Sequence, residues 1–372
     1  MVPTDFASGR RLMERVEEQP NKFIFGARPA ISNCVLALVT PIPRDGKRGK
    51  EFACAHVYLL DKPGRGKTAT FNFLSAAIGA RHSRIDGRPD TMPSDIAGYE
   101  DVDRFSGIRT LFRGPIHSNI FFMDEINRTP SKGQAILLGA MEGGHVIMIK
   151  TDMETKRKEA IAYPLYPISD DPQEQRMYFI VFATANPLEF EGTYPLSEAQ
   201  KERFTYSFRM GLPDRESEKR IRSKNLVGKV VEEVMDLATL LNIQDMVKEV
   251  ELSAQADEYI QRIIENSRPY SQDEEDYGHL IKRCASQSLV TFINDYVSNG
   301  CSPRRDLHME AAAKAYRFRY GTNESRVATV DDVKAILPLT MEHVLLLQPK
   351  SLGDNVTAKK VIQRLMEETE VP

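Results

Sequence analysis

Asp61-Lys62-Pro63-Gly64-Arg65-Gly66-Lys67-Thr68 is the stretch that decides the fold of this 372-residue chain. Gly64 and Gly66 permit tight bends that turn successive backbone N–H groups inward, and a helix opening immediately afterwards adds the positive end of its dipole. A loop of this composition cradles phosphate, with Gly64, Arg65 and Gly66 as its floor. Lys67 supplies a cation for the β and γ charges, and the Thr68 hydroxyl supplies a ligand for magnesium. The flanking sequence provides the context that such a loop needs. Val57-Tyr58-Leu59-Leu60 is an apolar run of strand length, and Ala69 to Ile78 reads as a helix. One position departs from the usual pattern, since Asp61 stands where a glycine ordinarily begins the loop. A carboxylate there is expected to oppose phosphate, so that Asp61→Gly tightens nucleotide binding, unless Asp61 serves as a turn former.

The remaining parts of an ATPase follow at sensible distances. Asn119-Ile120-Phe121-Phe122-Met123-Asp124-Glu125 is an apolar strand ending in two acids, which puts carboxylates at the C-terminal edge of a sheet, where doubly wound folds bind ligands. In that setting Asp124 coordinates magnesium through water and Glu125 polarises the attacking water. A third apolar run, Tyr178 to Ala185, ends in Asn186. That amide can reach the γ-phosphate or the water, although an Asn before Pro187 is equally a turn residue.

With these pieces in hand, the chain resembles MoxR-type AAA+ ATPases. The resemblance is carried by Gly114-Pro115-Ile116, by Asp124 to Pro130, by Gln134 to Glu142, by Ala185-Asn186-Pro187, by Glu191 to Gln200 and by Arg203-Phe204. It is dense over residues 20 to 220 and looser beyond, through Gly300 to Arg304 and Val330 to Val333. It implies an α/β fold, a P-loop AAA+ core of parallel sheet flanked by helices, followed by a smaller all-helical lid domain. Residues 1–20 are a lead-in, 21–213 the core and 214–372 the lid. Within the core, Met92 to Gly98 matches the segment where a helix-2 insert projects toward a central pore. The excursion from His145 to Tyr163 matches the pre-sensor hairpin, with Lys156-Arg157-Lys158 at its tip. The resemblance further implies that Arg203 is an arginine finger acting on the neighbouring subunit, that Arg304 is the sensor-2 arginine of the lid, and that Phe25-Gly26 lies near the adenine. For Arg304 the local sequence adds that Ser302 caps a helix and Pro303 occupies its first position. ATP and Mg2+ are the implied cofactors, and a homo-oligomeric ring, a hexamer, is the implied assembly. A protein client and a von Willebrand factor A domain protein are the implied partners.

Composition narrows the alternatives. With 50 basic and 53 acidic residues the net charge is −3, which argues against a broad grip on nucleic acid. No apolar run approaches the roughly 20 residues that span a bilayer, and Met1 to Phe6 lacks the basic and apolar regions of a secretion signal, so the expected location is cytoplasmic. Cys34, Cys54, Cys284 and Cys301 show no Cys-x-x-Cys spacing and read as buried thiols rather than a metal site. Amphipathic spacing marks helices over Val230 to Leu241 and Leu252 to Ile264. Ser271 to Asp276 opens a segment with no assignable role, and Asp170 to Gln175 reads as a polar linker. The sequence thus favours an ATP-hydrolysing remodeller of proteins. A nucleic-acid-stimulated motor and a weakly hydrolysing nucleotide-gated scaffold, the latter suggested by Asp61, stand as alternatives.

Overall fold

The computed structural model describes residues 3–46, 49–61, 64–102, 109–151, 158–165, 178–186, 192–223, 229–270, 285–322 and 326–372. Five strands form its central sheet: β1 Val57–Leu60, β2 His82–Asp86, β3 Ile120–Asp124, β4 Ile180–Ala185 and β5 Tyr206–Phe208. All pair in parallel, in the order β5-β1-β4-β3-β2. The order follows from what each strand has to bury. β1, β3 and β4 are apolar on both faces and occupy the interior, as strands of a two-sided parallel sheet must. β2, with the sequence HSRID, alternates between exposed and half-buried residues and closes one edge.

Alternation along the strands sends successive side chains to opposite sides. Val57, Leu59, Ile120, Phe122, Ile180 and Phe182 join one apolar cluster, whereas Tyr58, Phe121, Met123, Val181 and Ala183 join the other. In the first cluster Phe71, from the helix Lys67–Ala77, lies 4.6 Å from the Phe122 ring and 4.5 Å from that of Phe182. The second cluster is covered by the helix Ser131–Gly143 and by the hairpin of His145–Thr151 with Lys158–Pro164. A second hairpin, Gly98–Val102 with Arg109–Arg113, follows the short helix Pro93–Ala97 where the helix-2 insert is expected. Gly98 is obligatory at its base: φ is +94°, and a Cβ would strike the Phe112 carbonyl. The basic residues expected at the tip of the His145 hairpin, Lys156 and Arg157, lie outside the described residues, as do 170–175 and 271–276.

The lead-in is a packed element. Asp5 caps the helix Phe6–Asn21 by accepting a 2.7 Å bond from the Ser8 N–H. Met13 and Val16 are wholly buried in the cluster that also contains the lid's Phe318 and Val333. Among the lid helices are Leu237–Lys248, Ala254–Asn266, Gln287–Tyr296, Arg304–Tyr320, Val330–Met341 and Ala358–Glu368. Two local expectations are corrected. The helix expected from Val230 starts only at Leu237, capped by Asp236, because the preceding run is tied to the core instead, with the Val234 N–H bonding to Ala77 O at 2.8 Å. Ser302 does not cap the Arg304 helix with its side chain; Pro303 takes the cap position, and the Ser302 N–H donates to Glu202. Cys34, Cys54 and Cys301 are buried and form no disulfide among the described residues. No helix among the described residues is long and apolar enough to cross a membrane.

Core and lid are clamped by groups that burial would penalise if left unpaired. Arg305 is completely buried and donates to Phe204 O at 3.0 Å, to Glu202 O at 3.0 Å and to the Glu202 carboxylate at 2.9 Å. His343 Nε2 donates to the same Phe204 carbonyl at 2.9 Å, and His308 Nδ1 lies 2.9 Å from the Thr205 hydroxyl. Burial first, and the Arg305 charge second, push the His343 imidazole down to about 3 and hold that of His308 well below its usual range. Both rings are therefore neutral in the fold. Unfolded, they take up protons near pH 6.5, so stability is full above that pH and falls as the pH drops below it, for His343 down to about pH 3. Urea unfolding at pH 7.5 and pH 5.5 should show this loss for the wild type and a shallower one for His343→Gln. Equal slopes would remove His343 from the linkage.

Candidate nucleotide site

The phosphate loop emerges from β1 with Gly64 at φ +79° and Gly66 at φ +73°. Gly66 is the residue before the helix Lys67–Ala77, and no side chain caps that helix. Its opening N–H groups are thus presented as an anion would require. Lys67 is buried, with Nζ donating to Asp61 O at 3.3 Å. Lys67, Thr68, Asp124, Glu125 and Asn186 line one cavity of about 590 Å3, together with Arg84 and Asp86. The structure therefore brings together the loop, the acid pair and the amide, which are up to 125 positions apart in sequence (186 − 61).

Parallel pairing is what aligns them. Asp86 lies beside Asp124 across β2 and β3, and Ala185 lies beside Leu60 across β4 and β1, so the strand ends share one edge. Thr184, one residue short of the end of β4, bonds the Asp124 carboxylate through its hydroxyl and accepts from the Glu125 N–H at 3.0 Å. Thr184 matches no motif, although a lone polar residue in an otherwise apolar strand is a signal of this kind. Glu125 adopts a left-handed conformation, φ +53°, an uncommon state for a residue with a side chain. Gly87 packs directly on it, donating to Asp124 O at 2.7 Å where any Cβ would collide with Glu125 O. The Glu125 carboxylate meets Arg128 at 3.1 Å.

Arg84 is a second residue absent from the sequence-based set. Its guanidinium donates to Thr68 Oγ1 at 2.9 Å and to Asp124 Oδ2 at 2.9 Å, while Nε donates to Asp86 at 2.8 Å. A cation thus already bridges the hydroxyl and the carboxylate. That stand-in shows the donor set to suit a positive ion, and a hard cation such as magnesium takes such oxygens.

Asp61 is paired within the fold, as a turn-forming residue is, rather than presented bare to the loop. Its carboxylate is buried, pairs with Arg65 at 2.6 Å and accepts from the Met210 N–H at 2.8 Å. Its carboxylate ties the loop to the chain that leaves β5 for the lid.

Arg203 and Arg304 lie elsewhere. Both bind one carboxylate, that of Glu142 at the end of the helix Ser131–Gly143, each at 2.8 Å. Hydrogen bonds from Arg203 and then Arg304 hold this carboxyl below its usual range. The three residues line a separate cavity of about 370 Å3 with His56 and His308. Arg304 is therefore not brought to its own chain's phosphate loop. The lid helix that carries it is anchored through Arg305 to the Arg203 segment instead. Phe25 and Gly26 line a third cavity, of about 1230 Å3, with Arg220 stacked 5.9 Å from the Phe25 ring. Ile24, just before them, comes within 3.8 Å of where a Gly66 Cβ would stand, so this segment flanks the loop.

A parallel β5-β1-β4-β3-β2 sheet, with a phosphate loop after β1, paired acids after β3 and an amide after β4, defines a P-loop nucleotide-binding domain of AAA+ type. Comparison with known proteins agrees. Residues 56–206 match the model of the ATPase family associated with various cellular activities (AAA). The chain is 31% identical over 323 residues to YeaC of Bacillus subtilis (strain 168), covering 86% of each. It is 27% identical over 318 residues to Chaperone MoxR1 of Mycobacterium tuberculosis, covering 85% of this chain and 74% of that protein. A crystal structure of a protein from Cytophaga hutchinsonii superposes with a TM-score of 0.76 at 24% identity, covering 99% of this chain and 97% of the other. The chain belongs to the MoxR family of AAA+ ATPases.

The buried Asp61 contacts give a prediction opposite to the one made from sequence. Removing the carboxylate in Asp61→Ala orphans the Met210 N–H and the Arg65 charge, at a cost of about 1–3 kcal/mol. Thermal melting should therefore fall, and a fluorescent nucleotide titration should show no gain in affinity. Tighter binding at unchanged stability would reinstate the repulsive reading.

Proposed function

We propose that this protein hydrolyses ATP with magnesium as a ring-forming machine, a hexamer in the cytoplasm where ATP is supplied, and uses the cycle to remodel a protein client. The observation that carries the proposal is the division of the expected site into two places. Lys67, Thr68, Asp124, Glu125 and Asn186 share one cavity, whereas Arg203 and Arg304 share Glu142 in another. A chain built this way holds the phosphates with one surface and offers guanidinium groups with a different one. Two copies side by side complete the set, as arginine fingers supplied in trans do.

Thr68 and Asp124 would hold magnesium, which when bound would supply positive charge to the phosphates. Lys67 and the N–H groups of the loop bind the β- and γ-phosphates of the substrate ATP. Glu125 orients a water and takes its proton as the water oxygen attacks the γ-phosphorus and the bond to the β-phosphate oxygen breaks. Asn186 positions that water, and Arg203 of a neighbouring subunit, joined by Arg304, stabilises the charge that develops. By resemblance to the family, a von Willebrand factor A domain protein is the proposed partner that delivers the client. The name of the Mycobacterium tuberculosis relative, a chaperone, is in keeping with this.

The test is the ATPase rate per subunit over a range of protein concentrations. It should rise with concentration. Glu125→Gln should lower it by about a hundredfold or more while leaving nucleotide binding intact, and Arg203→Ala should lower it by about a thousandfold. A rate independent of concentration and indifferent to Arg203→Ala would place the whole site within one chain.

A further inference from the structure

We infer that Arg84 is an internal competitor for the magnesium position, so that the metal enters this site together with nucleotide and only weakly without it. The inference rests on the proposed reading of the phosphate cavity and adds to it a residue that this reading does not use. Thr68 Oγ1 and Asp124 Oδ2 each accept a 2.9 Å bond from the same guanidinium. A guanidinium 2.9 Å from both oxygens fills the space between them that a divalent ion and its water would need, and its charge repels that ion. The occupancy of the pair is therefore exclusive.

Three features hold Arg84 at this post. It rises from β2 directly beside β3, in register with Phe122, and its guanidinium carbon lies 5.6 Å from that ring. Asp86, two residues along the same strand face, binds it at 2.6 Å. Asp124 itself is fixed from the other side by Thr184. The guanidinium is thus tethered by Asp86 whichever way the Thr68–Asp124 pair is filled, and release from that pair does not send it out of the cavity.

The energetic consequence depends on what else is present. Metal alone must take two charge-assisted hydrogen bonds from Arg84 and leaves it with Asp86 only. Nucleotide changes the exchange, because phosphate oxygens are good bidentate partners for a displaced guanidinium. Magnesium and nucleotide therefore assist each other through Arg84, and that coupling is reciprocal.

The experiment is Mn2+ binding to the full chain, followed by the electron paramagnetic resonance of the free ion, without nucleotide. Arg84→Gln should bind one Mn2+ at least about tenfold more tightly than the wild type, the scale of the first of the two charge-assisted bonds that the metal no longer has to displace. Asp124→Asn added to Arg84→Gln should abolish the gain. Arg84→Lys, which keeps the charge but not the fork, should fall between them. In melting curves, Mg2+ alone should raise the midpoint of Arg84→Gln more than that of the wild type. Equal Mn2+ affinity in the wild type and Arg84→Gln, with a fluorescent ATP analogue still bound by both, overturns the competition alone. Failure of the wild type to bind the analogue overturns the reading of the cavity and the competition with it.

Discussion

β4 is the strand on which the site depends. It is hydrogen-bonded to β1 on one side and β3 on the other, so the phosphate loop and the acid pair are registered against the same six residues. All six are buried, which makes a slip costly: moving a two-faced strand by one residue exchanges every side chain between the clusters. Thr184 uses this registration. One hydroxyl touches both the Asp124 carboxylate and the Glu125 backbone, and so transmits the position of β4 to both acids. The left-handed Glu125 is held in this setting by Thr184, which accepts from its N–H, and by Gly87, which bonds the preceding carbonyl and packs against that of Glu125.

The lid is joined to the core at charged points as well as by apolar packing. Arg305 and His343 converge on the Phe204 carbonyl, next to Arg203. Asp61 ties the phosphate loop to Met210. On the far side Arg319 of the lid pairs with Glu17 of the first helix at 2.9 Å. Burying such groups is penalised unless each is paired, so these contacts specify one arrangement of lid and core more than they stabilise it. The arrangement also explains why Arg304 faces away from its own loop: its neighbour Arg305 faces inward, and on a helix adjacent residues point about 100° apart.

Much of the site was legible because its parts are local. A loop bounded by glycines, a strand ending in Asp-Glu and a strand ending in Asn each carry their meaning within about ten residues. β1, β3 and β4 were legible for the same reason, as apolar runs. β2 was not, since an edge strand buries little and reads as polar chain, and β5 is only three residues long. The hidden contributors act across the sequence. Arg84 meets Asp124 across 40 positions, and Arg305 meets Phe204 across 101. Asp61 misled because its role is set by a partner 149 residues away. Periodicity and motif spacing hold no information about such partners.

The charges around the nucleotide cavity and the second cavity follow one rule. Arg84 is held by Asp86 and Asp124, Arg128 by Glu125, Arg65 by Asp61, and Arg203 with Arg304 by Glu142. A phosphate recruits any of these cations only by replacing a carboxylate that already holds it. Its contribution to affinity is then the difference between two charge-assisted contacts, not the whole of one. On the proposed function the same exchange loosens an acid at each place: Glu125 from Arg128, as a carboxylate that must turn to a water requires, and Glu142 from two arginines at once. Because Arg203 and Arg304 share one carboxylate, neither would gain its full contact with phosphate while the other still neutralises Glu142, and on that reading the two respond together.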